Sequence, residues 1–126
     1  MAAMARWPER IPEGAVCDAL TSNLDVLPLA LTAAGGAAPD YARLDGRHPL
    51  AAIAGKALSP HDSLCFEWER QQALRSGRWK LIRTKGEPWQ LYDLDSDIGE
   101  TKDVAATYAE VVSALGRKFA SWRRTV

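Results

Sequence analysis

The chain has 126 residues, of which 47% are apolar and 25% charged, a composition typical of one globular domain rather than of a disordered segment. Its 16 basic and 16 acidic side chains cancel to a formal net charge of zero, which argues against a surface that binds nucleic acid or an anionic membrane. The N-terminal segment MAAMARWPERIPEG is charged where a signal peptide needs an apolar core, and no apolar run approaches membrane-spanning length. We therefore expect a soluble chain with no nucleic-acid or membrane partner, and the sequence leaves its compartment unknown.

Prolines interrupt the first half of the chain. WPERIPEG (7–14) predicts an extended edge or loop segment, because proline cannot donate to a β-ladder, and AVCDALTS (15–22) could follow as a short strand. A helix is predicted next, since Leu24, Leu27 and Leu31 recur at spacings of three and four residues before the stop signal Gly35-Gly36. Asp25 is preferred to Ser22 as its N-cap, because this start places the proline at position 28 within the first turn.

The middle of the chain predicts a turn and a short helix. LDGRHPL (44–50) predicts a turn at Asp45-Gly46, and the apolar piece PLAAIA that overlaps its end is terminated by Gly55. The organisation of the chain then changes near Ser59-Pro60-His61-Asp62. We expect alternating strands and one long helix after this point.

Four strand candidates follow, rich in aromatic and aliphatic residues and separated by short polar or glycine-containing connections: SLCFEW (63–68), QALRS (72–76), RWKLIRT (78–84) and WQLYDL (89–94). Such spacing predicts an antiparallel meander. The alternation of aromatic and charged residues between positions 77 and 100 is then mainly the two faces of a hairpin.

The last helix carries the clearest periodic signal. Thr107 and Glu110 fit a capping box. The apolar positions that recur every three or four residues are Tyr108, Val111, Val112, Leu115, Phe119 and Trp122. Because neither a half-apolar sheet nor an amphipathic helix can bury its apolar side alone, the helix should cover the sheet. The fold class predicted for this half is α+β.

Cysteine, histidine and acidic side chains are the candidate catalytic and metal-binding residues. Cys17 and Cys65 lie in apolar contexts without metal-ligand spacing, which favours two buried thiols over a disulfide. His48 and His61 stand beside prolines and favour surface or turn histidines over a general base. The acidic run from Asp93 to Glu100 suggests a calcium loop, but it lacks the glycine and the bidentate glutamate of an EF-hand, so a solvated turn is favoured. No catalytic or metal-binding residue is assigned.

The order of several pieces resembles the C-terminal region of the type I, formylglycine-dependent sulfatases, the arylsulfatase family. These pieces are RWPERIPEG, TSNLDVLPLALTAAGG, LDGRHPLAAIAG, LCFEWERQQALRSGRWKLI and QLYDLDSDIGETKDVA, followed by a last helix that ends in SWRR. Each piece alone is a weak signal, whereas five in the family's order and spacing make a strong one. The resemblance covers nearly the whole chain.

The resemblance implies the architecture of the family's C-terminal region but none of its catalytic residues. Residues 1–58 would be the tail of the family's large α/β domain, an edge segment plus a helix, and residues 59–126 its C-terminal subdomain of antiparallel sheet plus helix. The family's nucleophile is a cysteine in a C-x-P-S-R-like context that becomes formylglycine, beside bound calcium; neither Cys17 nor Cys65 matches that context. We expect formylglycine and calcium to belong to an N-terminal sulfatase region that acts as partner in cis or as a separate chain.

The resemblance also supplies one candidate site. Trp68, Glu69 and Arg70 fall where many arylsulfatases carry a Trp-Glu-His-Glu-Gly-like run, with Trp68 in place of the family's His, in a subdomain that forms part of the rim of the substrate cleft. For Trp68, burial against the sheet is favoured over a contact with substrate. Two functions remain open. The chain is either the C-terminal portion of a sulfuric ester hydrolase, inactive alone, or a stand-alone binding module derived from a sulfatase tail. In the first case the apolar surface of residues 1–55 should be exposed and should promote self-association.

Overall fold

The computed structural model describes residues 3–36 and 44–126. The chain divides into two compact units, Met1–Asp62 and Ser63–Val126. Within the described ranges, no helix is long and apolar enough to cross a membrane.

The first unit begins with irregular backbone and continues into short helices. A single 3₁₀ turn, Asn23–Asp25, leads into α1, Val26–Ala33, and a one-turn helix α2 follows at Leu50–Ile53. The proline at position 28 lies in the first turn of α1, as predicted. The predicted strand at 15–22 is wrong: these residues form no strand, since they pair with no neighbouring strand in the described part of the chain.

The predicted N-cap of α1 at Asp25 is confirmed in position, and a 3₁₀ turn with its own cap precedes it. Ser22 caps the 3₁₀ turn, because its hydroxyl accepts the Leu24 amide at 3.3 Å while the Asp25 carboxylate accepts the Ser22 amide at 2.8 Å. This is a reciprocal capping box that starts the helical segment three residues early. Asp25 occupies the N-cap position of α1 but makes no side-chain cap bond to it.

The second unit contains the predicted four-stranded meander. Its strands are β1, Leu64–Trp68, β2, Gln71–Ser76, β3, Trp79–Thr84, and β4, Gln90–Asp93, antiparallel and adjacent in chain order. Tight two-residue turns join β1 to β2 and β2 to β3, so the register carries Leu74 opposite Leu81 and Leu81 opposite Leu91. These three leucines are fully buried on one face of the sheet.

Helix α3, Ala109–Trp122, covers that face. Leu115 and Phe119 complete the buried cluster with the three leucines, and Trp89 meets Phe119 edge-on at a centroid distance of 5.4 Å. Each large apolar side chain so buried contributes about 1.5–3 kcal/mol. The predicted α+β fold of sheet plus covering helix is confirmed.

The capping box predicted at Thr107 and Glu110 does not form. The amides of Thr107 and Tyr108 both bind the Val104 carbonyl, at 3.0 and 3.1 Å, so this turn precedes the helix. The N-cap position falls on Tyr108, whose side chain makes no cap bond and instead packs on Trp79 at 5.0 Å.

Candidate functional site

The three residues predicted to line a cleft rim lie together at the tip of the β1–β2 hairpin. Trp68 and Gln71 are the last paired residues, and Glu69 and Arg70 form the two-residue turn between them. The favoured interpretation, in which Trp68 is buried against the sheet, is wrong, because 75% of the Trp68 surface is exposed. Trp68 lies on the sheet face opposite α3, where exposed Phe66 precedes it by two residues.

The loop after β3 is hydrogen-bonded to this turn. The Lys85 amide donates to the Arg70 carbonyl at 2.6 Å, and the Arg70 guanidinium donates back to the Lys85 carbonyl at 3.1 Å. The two exposed cations therefore belong to one end of the sheet. No sequence pattern singled out Lys85, although its position just beyond β3, the strand paired with β2, follows from the meander.

A polar row lies behind the turn, on the face that α3 covers. Gln72, only 1% exposed, donates to the Glu67 carboxylate at 3.1 Å and accepts from the Arg83 side chain at 2.7 Å. Glu67 also pairs with Arg123 at 2.9 Å, and the Arg83 guanidinium stacks 4.0 Å from the Trp89 ring centre. A buried amide is stable only when both its donor and its acceptor are used, as here. The row fixes the base of the hairpin.

The first unit contains a separate polar node that the sequence did not reveal. Asp25, 2% exposed, accepts the amides of Ser22 at 2.8 Å and Arg47 at 2.7 Å, and its Oδ1 lies 2.8 Å from His61 Nε2. The Asp25 carboxylate thus joins two backbone amides and the His61 ring in one buried cluster. The signal that could have located this node is the S-x-x-D spacing of Ser22 and Asp25.

The surface environment predicted for the histidines is corrected by these contacts. The His61 side chain is only 7% exposed, because it lies against Asp25. His48 Nε2 is also buried, with no hydrogen-bond partner among residues 3–36 and 44–126. Neither histidine is a solvated surface group.

No cluster of three or more His, Cys, Asp or Glu side chains that could hold a metal occurs in the part of the chain that the structure describes. The Asp97 carboxylate accepts the amides of Thr101 and Lys102, both at 2.8 Å. Burial raises the pKa of the Cys65 thiol, and the nearby Lys118 charge opposes this only in part. The burial predicted for Cys17 is wrong, because this residue is exposed.

Comparison with known proteins identifies the family to which this chain belongs. A sequence model of the C-terminal region of N-sulphoglucosamine sulphohydrolase matches residues 1–125. The chain belongs to this sulfatase family. It is a sulfatase C-terminal domain, as its resemblance to the family implied.

Sequence relatives are sulfatases of much greater length. The domain is 29% identical over 91 residues to arylsulfatase G of Mus musculus, a match that covers 67% of this chain and 17% of the relative. It is 33% identical over 78 residues to N-acetylgalactosamine-6-sulfatase of Canis lupus familiaris, covering 62% and 15%. The domain thus spans about a sixth of these curated relatives.

A solved structure shows the same fold. The crystal structure of Ps i-CgsB in complex with k-i-k-neocarrahexaose superposes with a TM-score of 0.77 at 25% identity, covering 92% of this chain and 27% of that one. The superposition extends over nearly all of the sulfatase C-terminal domain.

Proposed function

We propose that this domain completes a sulfuric ester hydrolase whose nucleophile and calcium ligands lie in an N-terminal sulfatase region, and that it is inactive alone. The observation that carries the proposal is the family match over residues 1–125, set against relatives of which the chain covers only about a sixth to a quarter. The sequences around Cys17 and Cys65 support the proposal that the domain is inactive alone, since neither cysteine is followed by the x-Pro-Ser-Arg run of the family's nucleophile.

Exposed apolar surfaces support a partner for the domain. In the first unit Val26 and Leu27 of α1 are 62% and 53% exposed. In the second unit Phe66 is 53% exposed on the sheet face that α3 leaves open. Large apolar side chains grouped at a surface mark contact regions. We infer that an N-terminal sulfatase region, in cis or as a separate chain, covers part of these surfaces.

The hairpin tip is assigned to the rim of the substrate cleft. Trp68, Glu69 and Arg70 carry the assignment, because an exposed ring and two charges on a rigid turn can contact a bound sulfate ester without performing its hydrolysis. These are binding groups. The attack on sulfur would come from formylglycine in the N-terminal region.

One observation also supports a second function, that of a stand-alone binding module. Residues 63–126 have a closed core of five buried side chains, which a stand-alone binding module derived from a sulfatase tail would also need. Such a module would be a stable monomer that neither binds nor activates an N-terminal sulfatase region.

The proposal is tested by assaying aryl sulfate hydrolysis in the presence of calcium. The 126-residue chain is measured alone and after joining to the sulfatase region encoded upstream of it. We expect background rates for the chain alone and turnover for the joined protein. Turnover by the chain alone that disappears in a Cys17→Ser, Cys65→Ser double variant would refute the proposal. Absence of an upstream region with the nucleophile motif would favour the stand-alone module.

A further inference from the structure

Two cations stand side by side on the sheet face that α3 leaves open. Strand pairing places Arg75 of β2 directly opposite Lys80 of β3. Both point away from the helix, because their strand neighbours Leu74 and Leu81 are buried beneath it and side chains alternate along a strand. Like charges directly opposite each other on adjacent strands are destabilising. This pair therefore needs anions to offset it.

One of the two cations finds its anion within the second unit. The Glu100 carboxylate, from the turn that follows β4, accepts a hydrogen bond from Lys80 Nζ, and both side chains are about two-thirds buried. Lys80 is thus neutralised by a residue of its own unit. The charge that stays uncompensated belongs to Arg75.

The Arg75 guanidinium lacks an acceptor. Its Nε atom is buried and makes no hydrogen bond to any residue within 3–36 and 44–126. By contrast, Arg78, Arg83 and Arg123 of the same unit each contact a side-chain oxygen, at 2.7, 2.7 and 2.9 Å. A buried donor without an acceptor is destabilising, and more so when it carries charge. We therefore expect the acceptor to come from outside the described part of the chain.

Apolar side chains surround Arg75 on the open face. Leu64 of β1 lies directly opposite it, and Phe66 and Ile82 occupy the next row of the same face. A free anion such as sulfate would pair with the charge but would leave these apolar groups in water. A protein segment with a carboxylate among apolar side chains would satisfy both, and an ion pair is stronger where water is excluded.

The matched relatives contain a large region from which such a segment could come. The matches cover only 17% of arylsulfatase G of Mus musculus and 15% of N-acetylgalactosamine-6-sulfatase of Canis lupus familiaris. A second copy of this chain is the competing source, and the experiment below separates the two.

We propose that a carboxylate of the N-terminal sulfatase region binds the Arg75 guanidinium on the open sheet face, while apolar side chains of the same segment cover Leu64 and Phe66. This inference rests on the proposed function and adds the chemistry of the contact. Arg75 acts in assembly and not in catalysis. Lys80 stays paired with Glu100.

The test is carbodiimide crosslinking, which joins an amine to a carboxylate in direct contact with it. Arg75→Lys supplies the amine, in the protein formed by joining the 126-residue chain to the sulfatase region encoded upstream of it. We expect mass spectrometry of the tryptic peptides to show a link between position 75 and an Asp or Glu of the upstream region. The link between Lys80 and Glu100 is the positive control, since these groups are already in contact. Arg117→Lys, on the exposed side of α3, should give no link to the upstream region.

A neutral variant separates a role in assembly from a role in folding. Arg75→Met keeps the length of the side chain but removes its charge and its donors. Calorimetric titration of the 126-residue chain with the separately produced upstream region should show affinity weakened at least about thirtyfold, because the partner carboxylate is left unpaired. Arg117→Met should bind as the unmodified chain does. The Arg75→Met chain alone should unfold at an equal or higher urea concentration, since a buried unpaired donor is removed.

Three results would overturn the contact: a link from position 75 to a carboxylate of the 126-residue chain or of a second copy, no link at position 75 while Lys80 links to Glu100, or undiminished affinity of Arg75→Met. The first assigns the acceptor to this chain, the second excludes a carboxylate at this face, and the third shows that the charge is not required. Aryl sulfate turnover is measured separately. Turnover by the joined protein without the link would refute the carboxylate contact alone, and the link without turnover would refute the hydrolase proposal alone.

Discussion

At the scale of single residues, the Asp25 carboxylate joins three segments of the first unit. Its oxygens accept the Ser22 and Arg47 amides and contact His61 Nε2 at 2.8 Å, although these residues are up to 36 positions apart in sequence. Ser59 adds a bond of 2.9 Å from its hydroxyl to the Leu20 carbonyl. Polar contacts thus order a unit that contains little regular structure.

We predict that Asp25→Asn destabilises this unit, because an amide can accept at only one of its two positions and places a donor where amide donors converge. Each buried donor left unpaired costs about 1–3 kcal/mol. The measurement is hydrogen exchange at the Ser22 and Arg47 amides, which should accelerate, with exposed Asp18→Asn as control. His61→Gln, which keeps an N–H donor, should be milder than His61→Ala. Unchanged exchange in Asp25→Asn would contradict the prediction.

Gly46 is the second residue on which the first unit depends. A Cβ at this position would lie 2.1 Å from the Leu24 carbonyl oxygen, so the backbone would have to move apart. We predict that Gly46→Ala destabilises the unit by about 1–3 kcal/mol or more, the cost of overpacking. Gly99→Ala is the control, since its Cβ would meet the Thr101 methyl at 3.5 Å and Asp97 Oδ1 at 3.9 Å, both ordinary contact distances. Equal unfolding midpoints in urea for the two variants would show that the close approach is not required.

At the scale of elements, the acidic segment after β4 is a self-capped turn. Two backbone amides donate to Asp97, and the pKa of its carboxyl is lowered, chiefly by the bond from the Lys102 amide and then by that from Thr101. A lowered folded pKa means that the contribution to stability is present above the unfolded value and is lost as the pH falls through the folded one. The loss therefore begins below about pH 4.

We predict that the Thr101 and Lys102 amides lose protection from hydrogen exchange as the pH falls below this value, with the carboxyl resonance of Asp97 titrating over the same range. Asp97→Asn should abolish the pH dependence. Asp95→Asn should preserve it, because the Asp95 side chain is largely exposed and lies 4.0 Å from its nearest cation, Arg78. A pH-dependent loss of protection that persists in Asp97→Asn would assign the effect to another group.

Elements with a regular pattern could be predicted from the sequence, whereas the caps of the helices were predicted only in part. Apolar residues alternate along the strands and recur every three to four residues along α3, so each pattern indicates which side of its element is buried. The residue at which a helix begins depends on competing local hydrogen bonds. The Val104 carbonyl accepts the Thr107 amide, so α3 begins after the predicted cap at Thr107. Ser22 caps a 3₁₀ turn, so helical backbone begins before α1. The Asp25–His61 contact was missed because no periodicity links residues 36 positions apart.

The candidate site was predicted only in part, for a related reason. Resemblance to the family located Trp68, Glu69 and Arg70, but the burial of Trp68 that the sequence favoured was wrong. Its burial depends on which residues reach the open sheet face. The roles of Lys85 and Gln72 became visible only with the strand register, which brings the ends of β1, β2 and β3 together at one end of the sheet.

At the scale of the whole molecule, the two units differ in how they bury apolar surface. Residues 63–126 close a core between sheet and helix, whereas α1 in the first unit leaves Val26 and Leu27 more than half exposed, with Leu24 beside them. A stable monomer rarely exposes neighbouring large aliphatic side chains without a partner. In isolation the chain should therefore associate with itself through α1.

We predict that sedimentation velocity shows concentration-dependent oligomers for the 126-residue chain, and that a Val26→Lys, Leu27→Lys double variant shifts it toward monomer. Charges at these solvent-facing positions oppose apolar contact and should leave the core of residues 63–126 intact, which the Trp89 and Trp122 indole signals would report. Phe66→Lys is the control for the open sheet face. If the unmodified chain is monomeric while α1 keeps its amide protection, the exposed helix needs no cover, and the stand-alone module becomes the better account of this domain.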